Sequence, residues 1–227
     1  MNNMQIFLAI FTIISFVHIA AIFLQKEKLR RLSKCLILPP LLAAYIAGAG
    51  NWLFFPIPAL ILGWIGDVLL IKIEKKAHFM MGLASFLLGH ICYIITFALI
   101  LGFSGSIAGG INIPSLAIFI PPTVVLAMVV FRLIKPTKEM RVPVIAYMIV
   151  LVAMSLFGFQ VFLRSPGVAG LLILSGSFNF MVSDSILAYY TFRKLKLTGA
   201  VLIMVYYILA QAEIIIGVLM LRPAGLL

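Results

Sequence analysis

Long apolar stretches separated by short polar segments occupy the whole chain of 227 residues. Each stretch is close to the length of about 20 residues with which an α-helix crosses the hydrocarbon core of a bilayer. Lipid offers no hydrogen-bond partner to backbone N–H and C=O groups, so segments that span it must be helical. The pattern therefore predicts an all-α membrane protein, a bundle of eight transmembrane helices that forms a single domain over residues 1–227. The predicted spans are residues 4–24, 33–50, 52–71, 78–102, 113–134, 142–163, 168–192 and 198–221.

The composition excludes a soluble domain. Hydrophobic residues make up 64% of the chain, charged residues make up only 10%, and the mean hydropathy is +1.24. So few polar side chains cannot cover a water-exposed surface.

The net charge of +11 arises from basic residues that cluster in alternate loops. Four loops hold 15 of the 17 Lys and Arg residues: 26–34, 72–76, 132–141 and 193–196. This alternation is typical of the positive-inside distribution, and it argues against a nucleic-acid partner. It predicts a multi-pass protein of the inner (cytoplasmic) membrane, with the basic loops in the cytoplasm and both termini outside. A basic loop can also contact anionic lipid headgroups.

Three carboxylates lie inside the predicted spans: Asp67, Asp184 and Glu213. A carboxylate at the centre of an isolated spanning helix costs about 3 kcal/mol, and intramembrane acids are usually functional. Asp67 precedes Lys72 by five residues and Asp184 precedes Arg193 by nine, or about 7–8 and 13 Å of helix rise. We therefore expect both aspartates in the cytoplasmic half, where one cavity can hold them. The simpler interpretation, in which each acid hydrogen-bonds a neighbouring helix, stays open, and Glu213 could be a supporting group or snorkel.

The residues around the aspartates are suited to a binding site. Gly63 and Gly66 beside Asp67 allow a second helix to approach closely. Hydrogen-bonding and aromatic side chains at helical spacing form the candidate substrate-binding set: His90, Tyr93, Phe180, Ser183, Tyr207 and Gln211. Such side chains also serve as structural contacts between helices, so the alternative role stays open for each of them.

Several other chemistries find no support in the sequence. The chain has no G-x-S-x-G, H-E-x-x-H or phosphate-binding glycine motif. Cys35 and Cys92 lie in different spans and form no CxxC pair, and the three histidines, His18, His78 and His90, are poorly placed for a zinc site. We expect no metal and no cofactor, which leaves the paired carboxylates as the reactive groups.

Five short motifs follow one another along the chain. They are K-x-L-x-x-x-P at Lys34–Pro40, G-D-x-x-L at Gly66–Leu70, F-x-x-G-x-x-x-F-x-x-x-H-x-x-Y at Phe79–Tyr93, S-D-x-x-L at Ser183–Leu187 and Y-Y-x-x-x-Q at Tyr206–Gln211. In this order and spacing the sequence resembles the YhhN/lysoplasmalogenase family across predicted helices 2 to 8. The resemblance implies an eight-helix membrane hydrolase that cleaves the vinyl ether of lysoplasmalogens into a fatty aldehyde and a glycerophospho-alcohol. It also implies that the catalytic aspartates are Asp67 and Asp184.

Vinyl ether hydrolysis suits a pair of carboxyl groups. One protonated acid donates to the β-carbon, and one carboxylate stabilises the resulting oxocarbenium ion and activates water, as in glycosidases. Desolvation in a membrane cavity disfavours the charged form of a carboxyl group, so it helps to keep the donor protonated. The partners would be a lysophospholipid substrate and membrane lipids, and the intramembrane polar residues could also stabilise a homodimer.

Two other functions use the same residues. Paired membrane acids suit a proton- or cation-coupled transporter of small molecules or lipids, and the repeated D-x-[LI]-L pattern at Asp67 and Asp184 hints at two related halves. A structural membrane protein that only scaffolds partners is the third interpretation.

Overall fold

The computed structural model describes residues 2–50, 53–73, 75–102, 112–193 and 197–222. Over these residues it contains helices and connecting turns and no strand, so the predicted all-α class is confirmed. The α-helices are α1 Asn3–Phe23, α2 Glu27–Leu36, α3 Leu38–Ala49, α4 Pro56–Leu69, α5 Lys76–Gly102, α6 Ile113–Ile134, α7 Arg141–Arg164, α8 Val168–Arg193 and α9 Leu197–Met220.

Seven helices among the described residues are long and apolar enough to cross a membrane, with α2 and α3 together forming one of them. The predicted span 52–71 corresponds to α4, whose 14 residues rise about 21 Å, followed by a 3₁₀ turn at Leu70–Lys72. This helix is shorter than a bilayer core. The count of eight spans, the sides of the loops and the positions of the termini stay predictions.

The helical segment that corresponds to the predicted second span, residues 33–50, begins earlier than predicted and is interrupted. Helix α2 starts at Glu27, six residues before the predicted boundary, and ends at Leu36, and α3 starts at Leu38. Pro39 and Pro40 explain the break, because a proline has no N–H and cannot donate to the carbonyl four residues earlier. Both prolines lie in the first turn of α3, where backbone N–H groups have no intrahelical partner in any case.

The chain divides into two compact units, and the first comprises Met1–Thr96 with Val218–Leu227. Here α1 packs against α2 and α3, and α3 packs against α4. The buried His18 of α1 lies with its Nδ1 2.9 Å from the hydroxyl of Ser33 in α2. Arg222 donates a hydrogen bond to the carbonyl of Gly48 at the end of α3.

Helices α4 and α5 approach each other closely in this unit at small residues. A Cβ atom on Gly66 would lie 2.6 Å from the ring of Phe86, and one on Gly82 would lie 2.8 Å from Leu70. The Ser85 hydroxyl donates to the Leu62 carbonyl at 2.6 Å. The expectation that glycines beside Asp67 admit a second helix is thus confirmed for Gly66.

Replacement of Gly66 by Ala should lower the free energy of unfolding, because the new methyl group overlaps the Phe86 ring. Overpacking of this kind costs about 1–3 kcal/mol. Thermal unfolding in detergent would measure it, with Gly167→Ala as the matched control, since nothing lies within 4 Å of a Cβ at Gly167. Equal melting temperatures for the two variants would contradict the close contact.

The second unit, Phe97–Gly217, is built on α7 and α8. The Ser155 hydroxyl of α7 donates to the carbonyl of Ser177 in α8 at 3.3 Å. Helix α9 reaches α8 at another small residue, since a Cβ on Gly176 would lie 2.8 Å from Ile214. At the start of α6 the buried Gln160 of α7 accepts from the backbone N–H of Asn112 at 2.8 Å. Small and polar residues thus join the helices where lipid gives no driving force for association.

Candidate functional site

Asp67 lies in the last turn of α4, buried in the first unit with 2% of its surface exposed. The Nζ atom of Lys34, near the end of α2, is 3.6 Å from its Oδ1. Both side chains are largely removed from solvent, with exposures of 14% for Lys34 and 3% for Asp67. A buried charge is tolerated when an opposite charge accompanies it, so Lys34 is a principal reason why this carboxylate can exist in an apolar environment.

The position of Lys34 relative to Asp67 is fixed by a hydrogen bond one turn earlier in α4. In a continuous helix the carbonyl of Cys35 would accept from the N–H of residue 39, but that residue is Pro39 and has none. The indole N–H of Trp64 donates to the Cys35 carbonyl instead, at 2.7 Å. The proline therefore creates an acceptor that the tryptophan satisfies, which joins the end of α2 to α4 beside the Lys34–Asp67 pair.

Replacement of Trp64 by Phe should destabilise the protein by about 1–3 kcal/mol, because it leaves the Cys35 carbonyl without its donor. The additional change Pro39→Ala restores an N–H at residue 39, so the double variant should regain much of the lost stability. Thermal unfolding of the single and double variants in detergent measures this coupling. A double variant whose loss of stability equals the sum of the two single losses would contradict the idea that the Trp64 indole replaces the missing N–H of residue 39.

His90 and Tyr93 of α5 are both buried in the same unit as Asp67. They follow Phe86 by four and seven residues on one stripe of the helix, and the Phe86 ring contacts Gly66, the neighbour of Asp67. The structure therefore places the α5 candidates along the helix that packs against the Asp67 turn. Direct contact of either side chain with substrate stays a prediction.

Asp184 of α8 is partly buried in the second unit. The hydroxyl of Tyr147 in α7 donates to its Oδ2 at 2.6 Å. Tyr147 itself is buried. Tyr147 thus gives Asp184 a neutral phenol as a hydrogen-bond donor, whereas Lys34 gives Asp67 an ammonium group as an ion-pair partner.

The remaining second-unit candidates lie where α8 meets α9. The Ser183 hydroxyl donates to the carbonyl of Ile203 at 3.0 Å, and the rings of Phe180 and Tyr207 meet edge to face at 5.8 Å. The amide of Gln211 lies 3.5 Å from the Tyr207 hydroxyl, at the outer limit of a hydrogen bond. These contacts place all four residues in the packing of α8 against α9, where Phe180 and Ser183 precede Asp184 by four residues and one residue, and they give Ser183 and Phe180 a role in joining the helices.

Glu213 belongs to a separate polar cluster on the same two helices. Its Oε2 accepts from the Ser175 hydroxyl at 3.0 Å and from the Asn179 amide at 2.8 Å. The acid therefore has hydrogen-bond donors from α8, which assigns it a structural contact between α8 and α9.

Sequence reasoning missed Tyr147 and Trp64 and gave Lys34 no role beyond a motif position. The sequence does contain a signal for Tyr147. Tyr147 follows Arg141 by six residues, and Asp184 precedes Arg193 by nine. If the two arginines mark the same membrane face, Tyr147 and Asp184 lie at similar depths. The missing N–H of Pro39 was likewise visible in the sequence. The identity of its replacement donor was not, because Trp64 is distant in sequence.

Neither metal-binding nor disulfide chemistry stands out in the part of the chain that the structure describes. No group of three or more His, Cys, Asp or Glu side chains that could hold a metal ion occurs there. Cys35 and Cys92 are free thiols.

A model of the YhhN family matches residues 29–218 of the chain. This range includes both aspartates, Lys34 and Tyr147. No curated protein and no solved structure matches the chain.

Proposed function

The chain belongs to the YhhN family, and we propose from this premise that it is a membrane-embedded lysoplasmalogenase. In this proposal it hydrolyses the vinyl ether bond of a lysoplasmalogen, with an ethanolamine or choline headgroup, to a fatty aldehyde and a glycerophospho-alcohol. The observation that carries the proposal is the presence of two aspartates in apolar helices, one paired with the largely buried ammonium group of Lys34 and the other hydrogen-bonded by the buried hydroxyl of Tyr147. The seven long apolar helices among the described residues support a multi-pass membrane protein, and we propose the inner membrane as its location.

The reaction needs one proton donor and one base. The donor protonates the β-carbon of the vinyl ether, which converts the enol ether into an oxocarbenium ion. Water then adds to this cation while the base accepts its proton, giving a hemiacetal. The base then gives this proton to the glycerol oxygen while the ionised donor takes the proton of the hemiacetal hydroxyl. The C–O bond breaks, and aldehyde and alcohol are released. One water molecule is consumed, and both carboxyl groups regain their starting states.

The partners of the two aspartates suggest how these roles divide. We assign Asp67 as the base, because the ammonium group of Lys34 stabilises a carboxylate. We assign Asp184 as the proton donor, because Tyr147 offers a neutral hydroxyl that can stay bonded to it in either protonation state. His90, Tyr93, Tyr207 and Gln211 would position the ether and the headgroup.

The purified full-length protein in detergent should release aldehyde from a lysoplasmalogen and none from an acyl lysophospholipid with the same headgroup. Only the vinyl ether gives an oxocarbenium ion on protonation, so this pair of substrates isolates the proposed chemistry. A wild-type protein that releases no aldehyde at any pH or with any headgroup would overturn the proposal. In that event proton- or cation-coupled transport by the same aspartates would take its place, and uptake into proteoliposomes would test it.

A further inference from the structure

An apolar groove of about 620 Å³ runs along the surface between α6 and α7 in the second unit. Its volume falls within the range of about 300–1,000 Å³ that ligand sites in proteins occupy. Arg132 is the charged member of its lining, which comprises Val124, Ala127, Met128, Phe131, Arg132, Ile145, Met148, Ile149 and Val152.

A smaller cleft of about 200 Å³ continues this groove toward α8. The two share Ala127, Met148 and Val152, and the cleft adds Met181 and Ser185 of α8. Met148 is the chain neighbour of Tyr147, and Met181 and Ser185 lie three residues before and one residue after Asp184. The groove therefore leads from Arg132 to the helix segments that carry the Tyr147–Asp184 hydrogen bond.

The groove is cationic at one end and apolar over its length. Arg132 lies in the last turn of α6, at the start of the basic segment 132–141, which also contains Lys135, Lys138 and Arg141. The planar guanidinium of an arginine binds a phosphate through two parallel hydrogen bonds. Val124, at the other end, is eight residues from Arg132, or about 12 Å along the helix. A phosphate joined to one hydrocarbon chain matches this arrangement.

We propose that this groove binds the lysophospholipid substrate, with the phosphate on Arg132 and the hydrocarbon chain between α6 and α7. The proposal rests on the proposed function. Tyr147 follows Arg141 by six residues, which is about 9 Å of helix rise. The length of a glycerol unit plus part of an arginine side chain roughly matches this distance, so a lipid with its phosphate on Arg132 would place its ether bond at the depth of Tyr147. Arg132 is then a substrate-binding and specificity-determining residue.

Binding is measured with a lipid that the proposed reaction cannot cleave, a single-chain acyl lysophosphatidylethanolamine, titrated against the full-length protein in detergent and followed by native mass spectrometry. Arg132→Gln should weaken binding about tenfold, the loss expected for a charge-assisted hydrogen bond to phosphate. Lys138→Gln is the matched control, because it removes the same charge from the same segment without lining the groove. It should change the affinity much less than Arg132→Gln does.

The chain-binding half of the groove is tested by Ala127→Phe, which adds a ring where the two cavities meet. Its effect should grow with the length of the lipid chain. Val125→Phe, at an exposed position of α6 outside the lining, should have no such effect. A monoacylglycerol, which has the chain but no phosphate, should bind wild type and Arg132→Gln equally well.

Equal affinity of lysophosphatidylethanolamine for wild type and Arg132→Gln would overturn the inference, even if wild type releases aldehyde. Tighter binding of a two-chain phosphatidylethanolamine would also overturn it, since the groove would then be a site for an ordinary membrane lipid. Failure of the proposed function would be recognised separately. Wild type would then release no aldehyde, whereas the titrations with lysophosphatidylethanolamine would still show whether Arg132→Gln weakens binding.

Discussion

Replacement of Asp184 by Asn should lower aldehyde release from a lysoplasmalogen by a factor of about 10²–10⁴, the contribution of a positioned general acid. Asparagine keeps the shape of the side chain but cannot deliver the proton that the β-carbon requires. Tyr147→Phe should lower the rate much less, about tenfold, because it removes one hydrogen bond to the acid and leaves the acid in place. Initial rates of purified variants in detergent measure both effects.

Glu213→Gln is the matched control for Asp184→Asn. Glu213 also carries a carboxyl group within an apolar helix of the second unit, but its Oε2 accepts hydrogen bonds from Ser175 and Asn179. Its replacement should leave the rate of aldehyde release within a few-fold of wild type. Release by Asp184→Asn at the wild-type rate, or loss in Glu213→Gln as large as in Asp184→Asn, would contradict the assignment.

Asp67→Asn should abolish aldehyde release and also destabilise the protein. The change removes the base, and it leaves the largely buried Lys34 without its counter-charge. Loss of one partner from a buried ion pair costs on the order of 3 kcal/mol, which thermal unfolding in detergent would record as a lower melting temperature. Asp184→Asn, in contrast, leaves no unpaired charge on Tyr147, the neutral donor to this aspartate.

The second change Lys34→Met separates the two consequences of Asp67→Asn. The double variant carries no unpaired charge, so it should regain most of the lost stability while it stays inactive. An active double variant would show that Asp67 serves only to neutralise Lys34. A double variant no more stable than Asp67→Asn would contradict the ion pair itself.

The helical class and most helix boundaries could be predicted from the sequence. The lengths of the apolar stretches and the cost of unpaired backbone groups in lipid leave few alternatives. The start of α2 could not be predicted in the same way. Its first turns, Glu27–Lys34, are strongly charged, so hydropathy assigned them to a loop, whereas Glu27 forms ion pairs with Arg30 and Arg31 that support a helix. The predicted third span was longer than α4 because apolar residues before Pro56 lie outside the helix.

The candidate site could be predicted only in part, because the sequence shows the acids but not the residues of other helices that contact them. An acid in an apolar span is visible in any sequence, so Asp67 and Asp184 could be singled out. Their partners are 33 and 37 residues away, at positions where a lysine or tyrosine has many possible roles. Hydropathy and helical spacing report which face a residue occupies, but not which residue of another helix it meets.

The most direct test of the central claim is hydrolysis of a lysoplasmalogen in D₂O by the purified protein, with mass analysis of the aldehyde. Protonation of the β-carbon should place one deuterium on the carbon next to the carbonyl, and Asp184→Asn should yield little product. Unlabelled aldehyde incubated with protein in D₂O controls for exchange after release. Aldehyde formed without deuterium at that carbon, or no aldehyde from wild type, would contradict acid-catalysed vinyl ether hydrolysis by the aspartates.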